Sequence, residues 1–372
     1  MTRVAISAIG VVAPDAIGLD AFRALLASGR SATRVVDFKP REFIHPMKMR
    51  RMNALSRFGV AAAKLALTDA GIDPGRNTGV AMGTAFGPEQ TSVDYMQEYV
   101  EKGAALAPPQ LFAESVANAP GSHIAIESDF RGFNVTITQR ESSALAAAMY
   151  ACSQLMKGSV DAALTGGVEE VSEMTHSVLE RVGALSHTTA RPFDRDRDGM
   201  MLGEGGAVLL LQPRAAKSYA FVSGFGMARD TTASISDWGD DHGAVITAMR
   251  AAIDDAEIVL DDVDAIYASA NGSVRGDAVE GRAIEELFGD RVPVVATKGI
   301  FGEYAAGGAL QLVAAAIAID EQALHGSVGF ETGTFRFTPN RERRACALRN
   351  VLVNSVSAGG GIVCCVLSRE AA

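Results

Sequence analysis

The chain alternates short apolar runs with longer segments of small residues, a pattern typical of strands and helices that follow one another in an α/β protein. Residues 3–14 (RVAISAIGVVAP) predict a strand, and residues 61–73 (AAAKLALTDAGID) have the spacing of an amphipathic helix. Residues 79–87 predict a strand that ends in a Gly turn. Residues 134–155 (NVTITQRESSALAAAMYACSQL) combine a β-branched strand, a short polar turn and a helix rich in Ala, Met and Leu.

The same order of elements occurs twice along the chain. The segments 3–14, 61–73, 79–87, 134–155 and 199–214 resemble, in that order, the segments 219–230, 247–259, 264–273, 292–319 and 354–369. We therefore predict two copies of one α/β unit, with domains at residues 1–215 and 216–372. The long Ala- and Gly-rich helices have no polar stripe and must be buried on most sides, which predicts a helix layer between two sheets.

Composition narrows the class of protein. With 372 residues, 48% of them hydrophobic, the chain can bury a large core. Its longest mostly apolar run, residues 305–319, is shorter than the roughly 20 residues that span a bilayer. We expect no membrane segment and a cytoplasmic location. A net charge of −10 argues against binding to nucleic acid or to anionic membranes.

Cysteine and histidine positions offer no sign of a metal site. Cys152, Cys346, Cys364 and Cys365 have no CxxC spacing and are expected to be structural core thiols. The six His have no metal-binding spacing, so we expect neither a metal nor a cofactor. The basic residues within 39–57 favour a solvated face, with a docking site for an acidic partner as the alternative.

The residue at the polar turn inside segment 134–155 is Glu141. A strand that turns sharply into a buried helix is where many enzymes place a nucleophile, because the free amides of the helix start favour negative charge. We expect those amides to stabilise the Glu141 carboxylate.

Four stretches of the chain resemble the β-ketoacyl synthase family of the thiolase fold. The most specific, residues 190–211 (ARPFDRDRDGMMLGEGGAVLLL), is similar to the family's RPFD…RDG…GEGAG signature. Residues 48–73 resemble its first long helix, residues 108–126 its dimer-loop segment around a turn at 118–121, and residues 161–170 the strand after its nucleophile helix. The resemblance implies a thiolase-like α/β fold of five layers, αβαβα, built from two duplicated halves.

The resemblance also identifies the active-site positions, and this chain departs from the family at each of them. The nucleophilic Cys falls on Glu141, the first His on Asn271 and the second His on Glu303, while the Lys is retained as Lys298. Two acidic residues after the first His position are retained, as Asp277 and Glu280. The C-terminal Gly-rich turn lacks the family's aromatic gate residue and has Val356 and Ala358 instead.

These replacements remove the chemistry of condensation. A condensing enzyme needs a thiolate that accepts an acyl group and two imidazoles that guide decarboxylation and hold the enolate oxygen. Acylation of Glu141 would give a mixed anhydride, Glu303 puts an acceptor where a donor is needed, and Asn271 offers one hydrogen bond. We expect no catalytic residue but a degenerate pocket, with Lys298 between two carboxylates as a salt-bridged group. The alternative is a shared proton that supports new acid/base chemistry.

Within the family, the resemblance is to chain-length factors, the Cys-less subunits of type II polyketide synthases, and in particular to those of the highly reducing, polyene-making type. It implies a heterodimer with a Cys-bearing β-ketoacyl synthase, whose acyl tunnel this chain would shape. The acyl carrier protein would act mainly through that partner, with Lys48, Arg50 and Arg51 as a weak docking site. The expected tunnel and interface residues are Leu111, Phe112, Ser115, Val116, Asn118, Phe133, Val135 and Ile137.

Among these, Phe112 is the first choice for the end of the tunnel, with a plain core position as the alternative. The strand at residues 133–138 is expected to pair with its counterpart across the dimer axis. Two further functions stay open at this point. One is a stand-alone decarboxylase or hydrolase of acyl-carrier thioesters that uses Glu141 or Glu303 as a base. The other is a homodimeric acyl-binding module.

Overall fold

A computed structural model describes residues 4–370 of the chain. The predicted first strand includes Arg3, which lies outside the described residues, and the strand is observed from Val4 onward. Within residues 4–370, no helix has the length and apolar character needed to cross a membrane.

The N-terminal half contains six strands and eight α-helices within the described residues. The strands are β1 (Val4–Ala13), β2 (Ala16–Ile17), β3 (Thr78–Gly83), β4 (Asn134–Ile137), β5 (Ala162–Glu169) and β6 (Gly205–Gln212). The helices are α1 (Leu19–Ala27), α2 (Pro46–Met49), α3 (Ala54–Ala70), α4 (Glu89–Lys102), α5 (Pro109–Glu114), α6 (Ala119–Glu127), α7 (Ser143–Met156) and α8 (Glu173–Arg181).

The C-terminal half continues with seven strands and four α-helices in the described part of the chain. The strands are β7 (Ala220–Arg229), β8 (Ala265–Tyr267), β9 (Val294–Val295), β10 (Ala323–Leu324), β11 (Arg344–Ala345), β12 (Asn350–Val356) and β13 (Gly361–Ser368). The helices are α9 (His242–Asp255), α10 (Val274–Phe288), α11 (Lys298–Phe301) and α12 (Ala305–Glu321).

Strand pairing follows the same plan in both halves. The order is β4-β3-β5-β6-β1 in the first half and, from the other edge, β9-β8-β12-β13-β7 in the second. In each half the first three strands are parallel and the last two pairings are antiparallel. The halves meet where β1 pairs with β7 over a few residues. The repeat in the sequence thus has a counterpart in the sheet topology.

The helices form three layers around these two sheet halves. α3 packs on β1 and β6, and α9 packs on β7 and β13, so each covers one outer face. α7 packs on β3 and β5, and α12 contacts both halves through β5, β6 and β12. All residues from Ala305 to Ile319 of α12 are buried. The predicted five-layer αβαβα arrangement, with small-residue helices in the centre, is confirmed.

Two sequence-based expectations about helices are wrong. Residues 48–73 are not one helix, because α3 begins only at Ala54, where the Asn53 side chain accepts a hydrogen bond from the Ser56 amide at 2.6 Å. An Asn cap of this kind starts a helix and separates α3 from α2. Residues 118–121 are not a turn but the start of α6, since Pro120 fits the first helical turn.

The expectation of core thiols holds for three of the four cysteines. Cys152, Cys364 and Cys365 are buried, but Cys346 is only partly buried. Cys346 follows β11, whose two residues are both exposed, and it packs against the edge of the core that includes Leu348.

Candidate functional site

Glu141 lies in a short 3₁₀ turn, Arg140–Ser142, between the end of β4 and the start of α7. The Ser143 hydroxyl closes this turn, because it accepts a hydrogen bond from the Gln139 amide at 2.8 Å and donates one to the Arg140 carbonyl at 2.6 Å. Arg140 adopts a positive φ of 50° here. The Glu141 side chain is directed inward and is fully buried.

The Glu141 carboxyl group has few partners. Its Oε2 atom accepts a hydrogen bond from the Ala358 amide at 3.1 Å and lies 3.6 Å from Arg140 Nε. Its Oε1 atom has no hydrogen-bond partner among residues 4–370. Burial raises the pKa of Glu141 to about 7, and the nearby Arg140 charge offsets this only in part. The main-chain amide of Glu141 stabilises the carboxylate as expected for the start of a helix, but burial outweighs this effect on the pKa. The Ala358 amide that donates to Oε2 comes from the turn after β12 and not from α7.

Glu303 lies in the opposite environment. Lys298, on α11, places its Nζ atom 2.7 Å from Glu303 Oε1 and 2.8 Å from Oε2, and both side chains are fully buried. The Asn271 side-chain amide donates to Oε2 at 2.7 Å, and the Tyr304 main-chain amide donates to Oε1 at 2.7 Å. A buried ion pair is tolerated when its remaining hydrogen-bonding capacity is satisfied in this way.

This arrangement corrects two expectations about the pocket. Lys298 forms its ion pair with Glu303, and its charge acts on Glu141 more weakly than that of Arg140, the cation 3.6 Å from Glu141. Arg140 was missed by the sequence analysis, although it directly precedes Glu141 in the chain. Asn271 does not offer a free hydrogen bond either, because its amide already donates to Glu303.

Glu141 and Glu303 both face the first turns of α12. A Cβ atom on Gly308 would lie 3.2 Å from the Glu141 carbonyl, and one on Gly307 would lie 3.7 Å from Glu303 Oε1. The two glutamates also interact electrostatically, since the charge of Glu303 contributes to the raised pKa of Glu141.

Asp277 and Glu280, on α10, hold the loop that carries Asn271. Asp277 accepts hydrogen bonds from the main-chain amides of Asn271 at 3.0 Å and of Phe193 at 2.8 Å, and Glu280 accepts one from the Ser269 amide at 2.8 Å. Burial raises the pKa of Asp277 to about 6 and that of Glu280 to about 7. The cleft beside this loop encloses only about 150 Å³ and does not admit a water molecule. An acyl group has no room there.

Glu169, at the end of β5, is a further buried carboxyl group, and the sequence analysis missed it. It accepts hydrogen bonds from the Ala85 amide at 2.7 Å and from the Thr84 hydroxyl at 3.0 Å. Burial raises the pKa of Glu169 to about 7. It fixes the loop after β3, where the Phe86 ring packs edge-on against Tyr304 at 4.7 Å.

Comparison with known proteins then identifies the fold and the family. Residues 34–216 match the N-terminal domain of the β-ketoacyl synthases, and residues 219–331 match the C-terminal domain. The chain belongs to the β-ketoacyl synthase family.

Individual members of the family are similar over nearly the whole chain. The tetracenomycin polyketide synthase ketoacyl synthase alpha subunit of Streptomyces glaucescens is 30% identical, over 88% of this chain and 87% of that protein. The ishigamide ketosynthase/chain length factor structure superposes with a TM-score of 0.91 at 26% identity, covering 99% of both chains. A β-ketoacyl synthase structure from Burkholderia phymatum gives a TM-score of 0.90 at 26% identity, covering 100% of both. The fold is the predicted thiolase-like fold.

The candidate tunnel residues on and after α5 lie at the surface of this family member. Phe112 is 58% exposed and Val116 is 42% exposed. The Phe112 ring contacts Tyr95 of α4, with 5.5 Å between ring centroids. Leu111 and Ser115 are half-buried, and Asn118 is exposed. A plain core position for Phe112 is therefore wrong in the single chain.

The remaining candidate interface residues lie on or beside β4, an edge strand whose only strand neighbour in the described residues is β3. Phe133, Val135 and Ile137 are half-buried. The Phe133 ring packs edge-on against Tyr150 of α7 at 5.3 Å. The strand thus leaves one row of main-chain hydrogen-bonding groups open.

The three candidate docking cations are all exposed. Lys48 Nζ lies 2.8 Å from Glu127 Oε1, so part of its charge is already compensated. The Arg51 carbonyl accepts a hydrogen bond from the Gln110 side chain of α5 at 3.1 Å. Across residues 4–370 no group of three or more His, Cys, Asp or Glu side chains is arranged to hold a metal ion.

Proposed function

We propose that this chain is a non-catalytic chain-length factor. It pairs with a Cys-bearing β-ketoacyl synthase and shapes the acyl tunnel at the interface, and thereby controls product length in type II polyketide synthesis of the polyene-making kind. The observation that carries the proposal is the pocket itself. The nucleophile position holds a buried carboxyl group bonded to Ala358, and both other catalytic positions are bonded to each other.

The chemistry of the pocket supports this proposal. Acyl transfer from a thioester requires a thiolate or a comparably activated nucleophile, and a carboxylate would form an anhydride that water destroys. Lys298 and Asn271 both bind Glu303, so neither is available to stabilise an enolate oxygen. In the proposal, the contribution of this chain is therefore to form part of the wall of the acyl tunnel.

The surface supports a partner. The open edge of β4 and the exposed apolar side chains after α4, including Phe112 and Val116, are features that a single chain leaves uncovered. The similarity to the ishigamide ketosynthase/chain length factor covers nearly the whole chain and is consistent with such an assembly. In the proposal the acyl carrier protein docks mainly on the synthase, with a minor contribution from Lys48, Arg50 and Arg51.

The experiment is co-expression of this chain with the Cys-bearing synthase whose gene lies nearest to the gene of this chain, followed by analysis of the product. We expect Phe112→Ala in the complex to lengthen the product without loss of condensation, because an aromatic ring at the tunnel end takes the space of several methylenes. Mass spectrometry of the released chains measures this. Val259→Ala, a similarly exposed apolar residue of the C-terminal half, is the control. An intact complex with unchanged product length would contradict the role of Phe112.

A second candidate function has one observation in its favour. Glu141 combines a pKa of about 7 with an oxygen atom that has no partner among the described residues, which are properties of a general acid or base. A stand-alone decarboxylase or hydrolase of acyl-carrier thioesters would turn over without a partner and lose activity on Glu141→Gln. A purified chain with no turnover excludes it.

A further inference from the structure

The turn after β12 is joined to the turn that carries Glu141. We define the C-terminal turn as residues 357–360, between β12 and β13. The Ala358 amide donates to Glu141 Oε2 at 3.1 Å, and the Ser142 amide donates to the Ser357 hydroxyl at 2.9 Å. Just before this turn, the Ser355 hydroxyl donates to the Glu141 carbonyl at 3.0 Å. These contacts join positions more than 200 residues apart in sequence.

The C-terminal turn is closed by two hydrogen bonds of its own, from the Gly360 amide to the Ser357 carbonyl at 3.0 Å and from the Ser357 amide to the Gly361 carbonyl at 2.8 Å. Gly359 and Gly360 adopt positive φ angles of 88° and 83°, which glycine reaches without a steric penalty but also leaves easily. Its far side is attached by main-chain bonds, from the Asp230 amide to the Gly360 carbonyl at 2.9 Å and from the Gly359 amide to the Asp237 carbonyl at 3.2 Å. These bonds fix the shape of the turn, whereas its position over the pocket depends on the contacts with the Glu141 turn.

Only one of the contacts to the Glu141 turn depends on the side chain at position 141. The Ser142 amide and the Glu141 carbonyl are main-chain groups that any residue would present to Ser357 and Ser355. The Ala358 amide, by contrast, is buried and would lose its acceptor if position 141 had an apolar side chain. Burial of a carboxyl group at position 141 costs free energy of folding, and the hydrogen bond to the Ala358 amide offsets part of that cost.

We propose that Glu141 is a positioning residue that holds the C-terminal turn closed over its pocket. The closed turn keeps the former acyl site of this subunit sealed, so an acyl chain can enter the assembly only through the partner. This last step rests on the proposed function, whereas the closure itself is a property of the chain alone.

The test compares two substitutions of nearly equal volume by hydrogen–deuterium exchange with mass spectrometry, on the full chain purified alone and, where the complex forms, with its synthase. Glu141→Leu fills the buried site without an acceptor, and Glu141→Gln retains one. We expect Glu141→Leu to increase exchange in peptides that contain Ala358 by about tenfold or more, the loss expected for one hydrogen bond. We expect Glu141→Gln to stay close to wild type.

Glu169 offers a matched control, because it is also a fully buried carboxyl group bonded to a main-chain amide, that of Ala85. Glu169→Leu should increase exchange around Ala85 and leave the C-terminal turn unchanged. Wild-type protection of Ala358 in Glu141→Leu would overturn the proposal. Increased exchange throughout that variant would also overturn it, because it would show a general structural role.

The outcome is independent of the proposed function. If Glu141→Leu opens the turn but Phe112→Ala leaves product length unchanged, the closure stands and the measuring role fails. If the turn stays closed in Glu141→Leu while Phe112→Ala lengthens the product, the measuring role stands and the closure by Glu141 fails.

Discussion

At the scale of single residues, the two glutamates of the pocket show how environment decides the role of one side chain. Glu303 meets the Lys298 ammonium and two N–H donors, so its carboxyl oxygens are satisfied within 2.8 Å. Glu141 meets one amide and an Arg140 guanidinium at 3.6 Å. Burial dominates at Glu141, and its raised pKa keeps a substantial fraction of this carboxyl group protonated at neutral pH.

The raised pKa makes stability depend on pH in a defined direction. In the folded chain the pKa of Glu141 rises from 4.5 to about 7, so the folded state binds more protons than the unfolded state between these values. The contribution of Glu141 to stability therefore falls as the pH rises, by up to about 1.4 kcal/mol per pH unit. We expect Glu141→Gln to reduce the loss of stability between about pH 5 and about pH 8, measured by chemical unfolding at each pH.

The control for this experiment is Glu173→Gln, at an exposed position in the first turn of α8. It should leave the slope of stability against pH unchanged. Glu169, Glu280 and Asp277 also have raised pKa values and contribute the same slope to wild type and variant. Parallel curves for wild type and Glu141→Gln would show that burial does not raise the Glu141 pKa.

A second residue-scale prediction concerns the missing nucleophile. We expect Glu141→Cys to leave the chain unable to condense acyl and malonyl units, because Asn271 and Glu303 still replace the two imidazoles and Glu303 holds Lys298 at 2.7 Å. Acylation of position 141, followed by intact-protein mass spectrometry, and malonyl decarboxylation are measured separately. Condensation restored by this one change would show that the other two positions still support catalysis.

The sequence predicts which positions form the pocket better than it predicts their contacts. Glu141, Asn271 and Glu303 follow from the spacing of family motifs, which the fold preserves. The ion pair of Lys298 with Glu303 and the contact of Glu141 with Ala358 depend on where the turns after β12 and before α12 lie. Gly302 and Tyr304, both with φ of 83°, orient Glu303 toward Lys298, and no local sequence pattern predicts a positive φ at a Tyr.

At the scale of elements, the central helices were predictable because a helix without a polar stripe must be buried. The division between α2 and α3 was not, since it depends on the cap that Asn53 forms in an otherwise helical pattern. The central layer also depends on small residues in the strands that face it. A Cβ atom on Gly167 of β5 would lie 2.3 Å from the Ala305 carbonyl of α12.

We therefore expect Gly167→Ala to destabilise the fold by about 3 kcal/mol, because a main-chain carbonyl cannot move aside without shifting α12. Gly308→Ala is the matched control inside α12. Its Cβ atom would lie 3.2 Å from the nearest atom, and this tight contact is offset by a gain of about 1 kcal/mol in helix propensity. Chemical unfolding of both variants measures the difference, and equal stabilities would contradict close packing of β5 on α12.

At the scale of the whole molecule, the duplicated topology was predictable because each half repeats the same order of apolar runs. A surface that binds a partner is harder to predict from one sequence, because exposed apolar residues and core residues give similar sequence patterns. Phe112, which is exposed in the structure, is an example. The edge strand β4 is the structural feature that most directly indicates a partner surface. It pairs with β3 on one side, and its other side is open in the described residues.

The direction of its main-chain groups allows a test of this edge. The Val80 amide donates to the Phe133 carbonyl and the Thr84 amide donates to the Ile137 carbonyl, so residues 133 and 137 face β3. Because successive residues of a strand alternate in direction, Thr136 presents its N–H to the open edge. Thr136→Pro removes that donor without removing a bond to β3, and proline is tolerated on edge strands.

We expect Thr136→Pro to abolish co-purification with the synthase, whereas Thr136→Val should retain the complex. Both variants, when purified alone, should unfold at a temperature near that of wild type. A stable Thr136→Pro complex, observed by native mass spectrometry, would show that the partner does not extend the sheet through β4.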